Sequence, residues 1–210
     1  MKVLHLSFCP ESLFGVQNKI RAQIDGLKEN GVFVERAGFF FGGYYFGDDK
    51  IISCKNNNAI LRKVLEVVIF YRLLFYSYQE YDYIYIRYMR LTPWFYFFIK
   101  VLNKKCNSII LEVPTYPYDL EYPSRGMVSF SDKFFRERLH YHVKFITYYG
   151  DDISSIWGIR TIKLFNGIDV STIPMSKNSN SKGYIRFIAV ANVSNWHGFD
   201  RAIGFLVSYQ

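Results

Sequence analysis

The chain has 210 residues, half of them apolar and a fifth aromatic, and its 26 Lys and Arg exceed its 18 Asp and Glu, for a formal net charge of +8. This apolar content excludes intrinsic disorder, and no apolar run approaches the ~20 residues of a membrane-spanning helix. The amino terminus has a single Lys and too short an apolar run for a signal peptide. Three scattered cysteines (Cys9, Cys54 and Cys106) lack metal-ligand spacing. We therefore expect a soluble, basic, cytoplasmic protein with reduced thiols.

The positive charge is mild and forms no long Lys/Arg run, which weakens the case for a nucleic-acid-binding protein. Basic residues are instead interleaved with aromatic ones, as in residues 83–100. That pattern is more typical of a protein that contacts an anionic membrane surface. Peripheral contact with the inner face of the membrane is therefore a possible addition to a cytoplasmic location.

Strand and helix patterns alternate along the chain. Strands are predicted at residues 2–7, 32–38, 83–87, 108–112, 143–147 and 161–165. Helices are predicted at residues 15–30, 59–78, 92–103, 132–142 and 151–156. The first is expected to stop at Asn30-Gly31, the third to start with Thr92 as its N-cap and Pro93 in its first turn, and the fourth to be capped by Ser131. This alternation predicts an α/β fold, a Rossmann-like doubly wound parallel sheet with helices on both faces.

Two segments interrupt the alternation. Residues 39–58 form a long loop rich in Gly and aromatic residues, of a kind that is more often functional or mobile than merely structural. Residues 171–183 are polar and predict an exposed linker. We therefore expect a first domain over 1–170 and the start of a second domain over 184–210. The strand (185–193) and helix (199–209) of that second part are too few to bury a core.

Candidate binding residues follow from the rule that open parallel sheets bind ligands beyond the carboxyl ends of their strands. Gly15 at a helix start can admit an anion or a sugar to the backbone, or can simply form a tight turn. Glu112 ends a strand and is followed by Tyr116 and Tyr118. The carboxylate can accept hydrogen bonds from the hydroxyl groups of a sugar, and the tyrosine rings offer flat faces to its C–H edges. The alternative is a loop packed by its own aromatic residues, with Glu112 paired to Arg87.

Other chemistries find less support. The glycine patterns of dinucleotide-binding and phosphate-binding loops are both missing from the sequence, and no metal site is predicted. His5 is expected in the core, and His140 and His142 face different directions. Asp151 and Asp152 are expected to cap a helix start. His197 is the histidine best placed for chemistry.

Four segments resemble a known family. They are KVLHLSF with FGVQNKIRAQIDGLKENG, YDYIYIRY with IILEVPTYPYDLEY, the turn KLFNGIDV, and FIAVANVSNWHGFDRAIGFL. Together they resemble the amino-terminal half of retaining, nucleotide-sugar-dependent glycosyltransferases of the GT-B fold, of the glycosyltransferase family 4-like kind. The resemblance implies two Rossmann-like domains across a cleft, the first for the acceptor and the second for a UDP- or GDP-linked donor, with no bound metal or other cofactor.

The resemblance also implies roles for particular residues. The acceptor side would comprise Gly15, Val16, Arg87, Glu112, Tyr116 and Tyr118. The donor side or interdomain turn would comprise Asn166, Gly167, Asn192, Trp196 and His197. Asn192 and His197 stand where family members often carry an Arg and a Lys for the diphosphate. The paired glutamates of the family lie downstream of this sequence, so the catalytic residues are unassigned. We expect a truncated chain that is inactive alone.

The implied function is transfer of a sugar, with retention, to a saccharide or lipid-linked acceptor in cell-surface polysaccharide biosynthesis. Three alternatives stay open: a non-catalytic module that binds saccharides or a membrane surface, a sugar-nucleotide epimerase of the same architecture, and a nucleic-acid-binding protein. The strand at 185–193 is expected to dock on its own sheet or to pair with another copy of the chain, because an unpaired apolar edge aggregates.

Overall fold

A computed structural model of the chain describes residues 1–53, 59–106, 108–117, 127–167 and 199–208. The chain divides into two units, Met1–Asp169 and Val170–Gln210. The second unit is described through its helix alone. The predicted linker at 171–183 and the predicted strand at 185–193 lie outside the described residues.

The described part of the first unit is built on a mostly parallel sheet. Its strands are β1 (Lys2–Leu6), β2 (Phe33–Phe40), β3 (Gly43–Phe46), β4 (Asp49–Ser53), β5 (Tyr83–Arg87), β6 (Ile109–Val113), β7 (Phe145–Tyr149), β8 (Ser155–Ile156) and β9 (Ile159–Leu164). Their order across the sheet is β4-β3-β2-β1-β5-β6-β7-β9-β8. The strands from β2 to β9 in that order pair in parallel, and β3, β4 and β8 are antiparallel additions at the two ends. The fold is therefore α/β and compatible with a Rossmann-like architecture.

Five α-helices occur in the described residues. They are α1 (Phe14–Glu29), α2 (Ala59–Leu73), α3 (Pro93–Leu102), α4 (Met127–Arg136) and α5 (Phe199–Ser208). Helix α5 belongs to the second unit and confirms the helix predicted there. None of these helices combines the length and apolar character needed to cross a bilayer.

The two faces of the sheet have separate cores. Helices α2, α3 and α4 cover one face, where Leu4, Ile84, Leu111 and Ile146 are buried with residues such as Phe98. On the other face α1 buries Ile20 and Ile24 against Val3 and Val34. Helices on both faces satisfy the doubly wound prediction for this unit.

Local signals in the sequence account for two helix ends. The Thr92 hydroxyl accepts a hydrogen bond from the Phe95 N–H at 3.2 Å, and Pro93 occupies the first turn of α3, as predicted. Helix α1 ends before Gly31, whose φ of 76° is the left-handed conformation of a helix stop. Both predictions are confirmed.

The prediction of a structureless loop over 39–58 is wrong for its first part. Strands β3 and β4 lie there as an antiparallel hairpin that continues β2, and Tyr44 and Phe46 are buried in the larger core. Gly47 has a φ of 57° in the tight turn between them. Gly42 and Gly47 are turn residues of a short meander, and Gly43 is the first residue of β3. Residues 54–58 lie outside the described part.

The helix predicted at 151–156 is also wrong. A two-residue hairpin joins β8 to β9 through Trp157 and Gly158, whose φ angles of 50° and 75° are those of a tight hairpin turn. Asp152 caps no helix; its carboxylate lies 3.0 Å from the Lys163 ammonium. This hairpin completes one end of the sheet.

Two further helix boundaries differ from the predictions. The helix predicted at 132–142 begins at Met127 and ends at Arg136, followed by a short 3-10 turn at Leu139–Tyr141. Ser131 therefore lies inside α4 rather than at its start. Helix α2 ends at Leu73, five residues early, because Tyr78 turns into the core and its hydroxyl donates to the Leu73 carbonyl at 2.6 Å.

Candidate functional site

The strand order places a topological switch point at the carboxyl ends of β1 and β5. These neighbouring parallel strands send their connections to opposite faces of the sheet, β1 into α1 and β5 into α3. Such a switch point is where open α/β sheets bind their ligands. The loop after β1, the loop after β5 and the last residues of β5 and β6 therefore define the region to search.

A buried ion pair lies beside this switch point. Arg87 and Glu112 are register partners at the ends of β5 and β6, and Arg87 Nη1 lies 2.6 Å from Glu112 Oε1. The Glu112 side chain is fully buried and that of Arg87 is 10% exposed. The second carboxylate oxygen, Oε2, has no hydrogen-bond partner. A buried acceptor without a partner is costly, so this oxygen marks a place that a donor group would stabilise.

Neighbouring polar side chains extend the ion pair along the α1 side of the sheet. We define the polar cluster as Lys19, Gln23, Tyr85, Arg87, Glu112, Thr147 and Tyr149. The Tyr85 hydroxyl lies 2.9 Å from Thr147 Oγ1, and Gln23 Nε2 donates to the Tyr149 hydroxyl at 3.0 Å. Burial and then the negative charge of Glu112 raise the pKa of both tyrosines, so both phenols stay protonated.

Lys19 forms the rim of the polar cluster. Its ammonium lies 3.5 Å from the centre of the Tyr149 ring and donates to Asn166 Oδ1 at 3.2 Å. Partial burial lowers the pKa of Lys19, and the charge of Glu112 opposes that shift. Lys19 thus joins the second turn of α1 to Asn166, the second residue after β9. Neither Lys19 nor Gln23 was singled out from the sequence; the signal was a polar residue at a helix position that faces the sheet.

His5 lies on β1, on the face of the sheet that α1 covers. It is fully buried, as predicted, and neither ring nitrogen has a hydrogen-bond partner. Burial, with smaller effects from Arg36 and Arg87, lowers the pKa of His5 to about 3. The ring is therefore neutral near pH 7. As a neutral core residue, His5 is not assigned a role in the polar cluster.

The loop after β1 is held by a residue that the sequence analysis missed. Gln17 Nε2 donates to the backbone carbonyls of Cys9 and Pro10, at 2.9 and 3.3 Å. Burial raises the pKa of the Cys9 thiol, so it is poorly suited to act as a nucleophile. Gln17 fixes the loop that leads into the first turn of α1.

Gly15 and Val16 lie in that first turn. Gly15 is exposed, and a Cβ added there would meet no atom within 4 Å, so the fold itself does not require glycine. Val16 packs its side chain against the smaller core, leaving its backbone as the part available to a ligand. The tight-turn explanation for Gly15 is wrong, because the residue is helical.

The remaining candidates are dispersed. Tyr116 precedes a cis bond to Pro117 and packs against the larger core, with its ring 6.5 Å from that of Tyr148. That core lies on the face opposite the polar cluster, so the structure separates Tyr116 from Glu112 and favours a packing role. Gly167 is exposed beside Asn166. Tyr118, Asn192, Trp196 and His197 lie outside the described residues.

The described residues hold no cluster of three or more His, Cys, Asp or Glu side chains that could bind a metal ion. His140 Nδ1 lies 2.8 Å from the Glu137 carbonyl, and His142 Nε2 lies 3.1 Å from the Tyr96 hydroxyl. An open pocket lined by Met1, Asp82, Tyr83 and Ser108 is at the opposite edge of the sheet, by the amino ends of the strands. The polar cluster is therefore the strongest candidate site in the described part of the chain.

The chain was compared with models of protein families, with curated proteins and with solved structures, and none of them matches it.

Proposed function

We propose that this chain carries the acceptor side of a glycosyltransferase that uses a nucleotide-sugar donor, and that the polar cluster holds a hydroxyl group of a saccharide or lipid-linked acceptor. The observation that carries the proposal is the buried Glu112 carboxylate, which has one oxygen on Arg87 and the other without a partner. A sugar hydroxyl is a donor that such an oxygen accepts.

The surroundings of Glu112 support a saccharide. Arg87 holds the carboxylate in place by a short charged hydrogen bond. Tyr149 and Lys19 at the rim provide a ring, a phenol and a cation, and such groups bind both the apolar and the hydroxyl-bearing faces of a sugar. Thr147 and Tyr85 add two further hydroxyls. No charged nucleophile is needed for this role.

The position in the fold gives a second argument. The polar cluster lies between α1 and the carboxyl halves of β5, β6 and β7, next to the switch point where such sheets bind ligands. In the reaction that we propose, the acceptor hydroxyl attacks the anomeric carbon of the donor, the bond from that carbon to the diphosphate oxygen breaks, and the hydroxyl proton passes to the leaving diphosphate. Glu112 positions the acceptor, and the groups that stabilise the leaving diphosphate are not assigned.

The test is saccharide binding measured by ligand-detected NMR, with hexoses and nucleotide-sugars as separate probes. Lys19→Met changes the rim without emptying the core, and we expect it to weaken hexose binding about ten-fold. Lys28→Met is the matched control, because Lys28 lies exposed on the same helix. Glu112→Gln, in a variant shown by circular dichroism to fold, should abolish binding.

The outcomes separate the hypotheses. Hexose binding is expected from a transferase acceptor side and from a non-catalytic saccharide-binding module alike, and a response to UDP- or GDP-sugars favours the transferase. Release of nucleotide without an acceptor favours the epimerase. Equal binding by the wild-type chain and the Lys19→Met and Glu112→Gln variants overturns the assignment of the polar cluster.

A further inference from the structure

The outer surfaces of helices α2, α3 and α4 carry large aromatic side chains where a solvent-facing helix normally carries polar ones. Six of them are exposed by 42–74%: Tyr71, Phe75, Trp94, Phe97, Phe130 and Phe134. Single exposed apolar residues are common on protein surfaces. Adjacent ones on neighbouring elements mark a surface that contacts something else.

These six rings belong to the same face of the sheet in the first unit. Helices α3 and α4 contribute two rings each, three or four residues apart, so each of these pairs projects in one direction from its helix. Tyr71 of α2 is paired instead with Phe75 in the turn that follows the helix, with ring centroids 5.1 Å apart. Helix α3 packs against both α2 and α4, and all three cover the same face of the sheet. Packed helices lie about 8–10 Å apart, so the three helices that carry these rings are neighbours in one layer. We name this surface the aromatic helix layer.

The charge on the aromatic helix layer is mainly positive. Lys100 on α3 and Lys133 on α4 are exposed, and so is Arg72 on α2, whose guanidinium also donates to the Ile51 carbonyl at 3.0 Å. The Arg138 guanidinium lies 3.6 Å from the centre of the Phe134 ring. Helix α3 contains no acidic residue.

Acidic groups near the layer are few. Asp132 of α4 is buried. Among the described residues of these helices and the turn after α4, Glu66 is partly buried and Glu137 is exposed. The aromatic helix layer therefore combines exposed rings with a net positive charge.

Helix α1 of the same unit provides an internal comparison. After Phe14 its outward positions are Asn18, Arg21, Asp25, Lys28 and Glu29, a polar surface of mixed charge. The aromatic content of the chain as a whole does not therefore force rings onto helix surfaces. Among these four helices, exposed rings occur on α2, α3 and α4, and on α1 only at its first residue, Phe14.

We infer that the aromatic helix layer binds the surface of an anionic lipid bilayer. Tyr, Trp and Phe rings partition into the headgroup region, and Lys and Arg are attracted to anionic headgroups there. A second copy of the chain is a poorer occupant, because self-pairing of this surface would bring the exposed cations of two molecules together. The inference does not rest on the proposed function, which concerns the other face of the sheet.

The experiment is co-sedimentation of the full chain with vesicles. One set is phosphatidylcholine alone, and the other contains about one third phosphatidylglycerol. We expect binding to the anionic set that weakens as salt is added. The triple variant Trp94→Ser/Phe97→Ser/Phe130→Ser should bind at least about ten-fold more weakly. Lys100→Glu/Lys133→Glu should lose binding to anionic vesicles to a similar extent.

The matched control removes the same number of exposed rings elsewhere. Phe14, Phe41 and Phe165 are 77–82% exposed and lie outside the three helices, so Phe14→Ser/Phe41→Ser/Phe165→Ser should bind like the wild-type chain. The inference is overturned if the wild-type chain ignores anionic vesicles, or if both triple variants bind equally. It is also overturned if light scattering shows that the helix-layer rings hold a dimer and that the dimer does not bind vesicles.

Discussion

The Asp132 carboxylate and the Tyr88 hydroxyl are joined by a 2.6 Å hydrogen bond that links α4 to the segment after β5, 44 residues away in sequence. The same oxygen accepts from the Leu91 N–H at 2.6 Å, and the other lies 3.7 Å from Arg136. One buried carboxylate therefore fixes the start of the connection from β5 to α3.

Replacing Asp132 should destabilise the chain. In Asp132→Ala the Leu91 N–H and the Tyr88 hydroxyl lose a buried acceptor, and we expect the free energy of unfolding to fall by at least about 2 kcal/mol in urea titrations. Asp152→Ala is the control: Asp152 is largely exposed, and removing its ion pair with Lys163 should cost less than about 1 kcal/mol. Equal losses in the two variants would contradict this account.

The Arg87–Glu112 pair should behave as a coupled buried unit. Removing one partner strands the other charge, so Glu112→Leu alone should lower the free energy of unfolding by about 3–5 kcal/mol. The double variant Arg87→Met/Glu112→Leu should be more stable than Glu112→Leu. Urea unfolding of the wild type, both single variants and the double variant gives the coupling energy. Strictly additive losses would show that the two charges act independently.

His5 should make stability depend on pH. Its pKa is about 3 in the folded chain and 6.5 as the ordinary value, so between these values the unfolded chain binds a proton that the folded chain does not. The free energy of unfolding is therefore unaffected by His5 protonation above pH 6.5. Below that pH it falls as the pH falls, by at most about 1.4 kcal/mol per pH unit. His5→Leu should flatten the slope of unfolding free energy between pH 7 and 5.

The exposed His140 provides the control for this effect. His140→Gln should leave the slope between pH 7 and 5 as it is in the wild-type chain. A His5→Leu slope that matches the wild-type slope would mean that the ring at position 5 does not drive the pH dependence.

Two glycines should respond in opposite directions to alanine. Gly26 lies within α1 with open space at its Cβ position, so Gly26→Ala should raise the free energy of unfolding by about 0.5–1 kcal/mol. A Cβ at Gly43 would lie 2.6 Å from the Ile52 carbonyl oxygen on β4, so Gly43→Ala should lower it. Thermal unfolding of the two variants measures both signs, and a gain for Gly43→Ala would contradict the close approach of β3 and β4.

The sequence predicts the parallel part of the sheet well, because buried strands such as β1 and β5 are short apolar runs between clear helix signals. It fails where turns are tight. Gly47 and Gly158 signal chain reversal, yet they do not show whether a loop or a hairpin follows, since that depends on strand pairing with β2 and β9. The two antiparallel hairpins were missed for this reason.

The candidate site was predictable only in part. Arg87 and Glu112 stand at strand ends, so the possibility of their pairing follows from sheet geometry. Lys19 and Gln23 belong to a helix whose rotation above the sheet is set by packing, so their contact with Tyr149 cannot be derived from spacing. Tyr116 follows the same strand as Glu112 but turns to the opposite core, which its aromatic character alone does not reveal.

Helix α1 is fastened by three amide or ammonium groups within two turns. Gln17 reaches the segment after β1, Lys19 reaches Asn166, and Gln23 reaches Tyr149. Successive helix positions differ by about 100° in direction, so a turn of α1 about its axis by a single residue would break all three attachments together. The rotation of α1 about its own axis therefore sets the positions of Gln17, Lys19 and Gln23 together, and with them the arrangement of the loop after β1 and of the polar cluster.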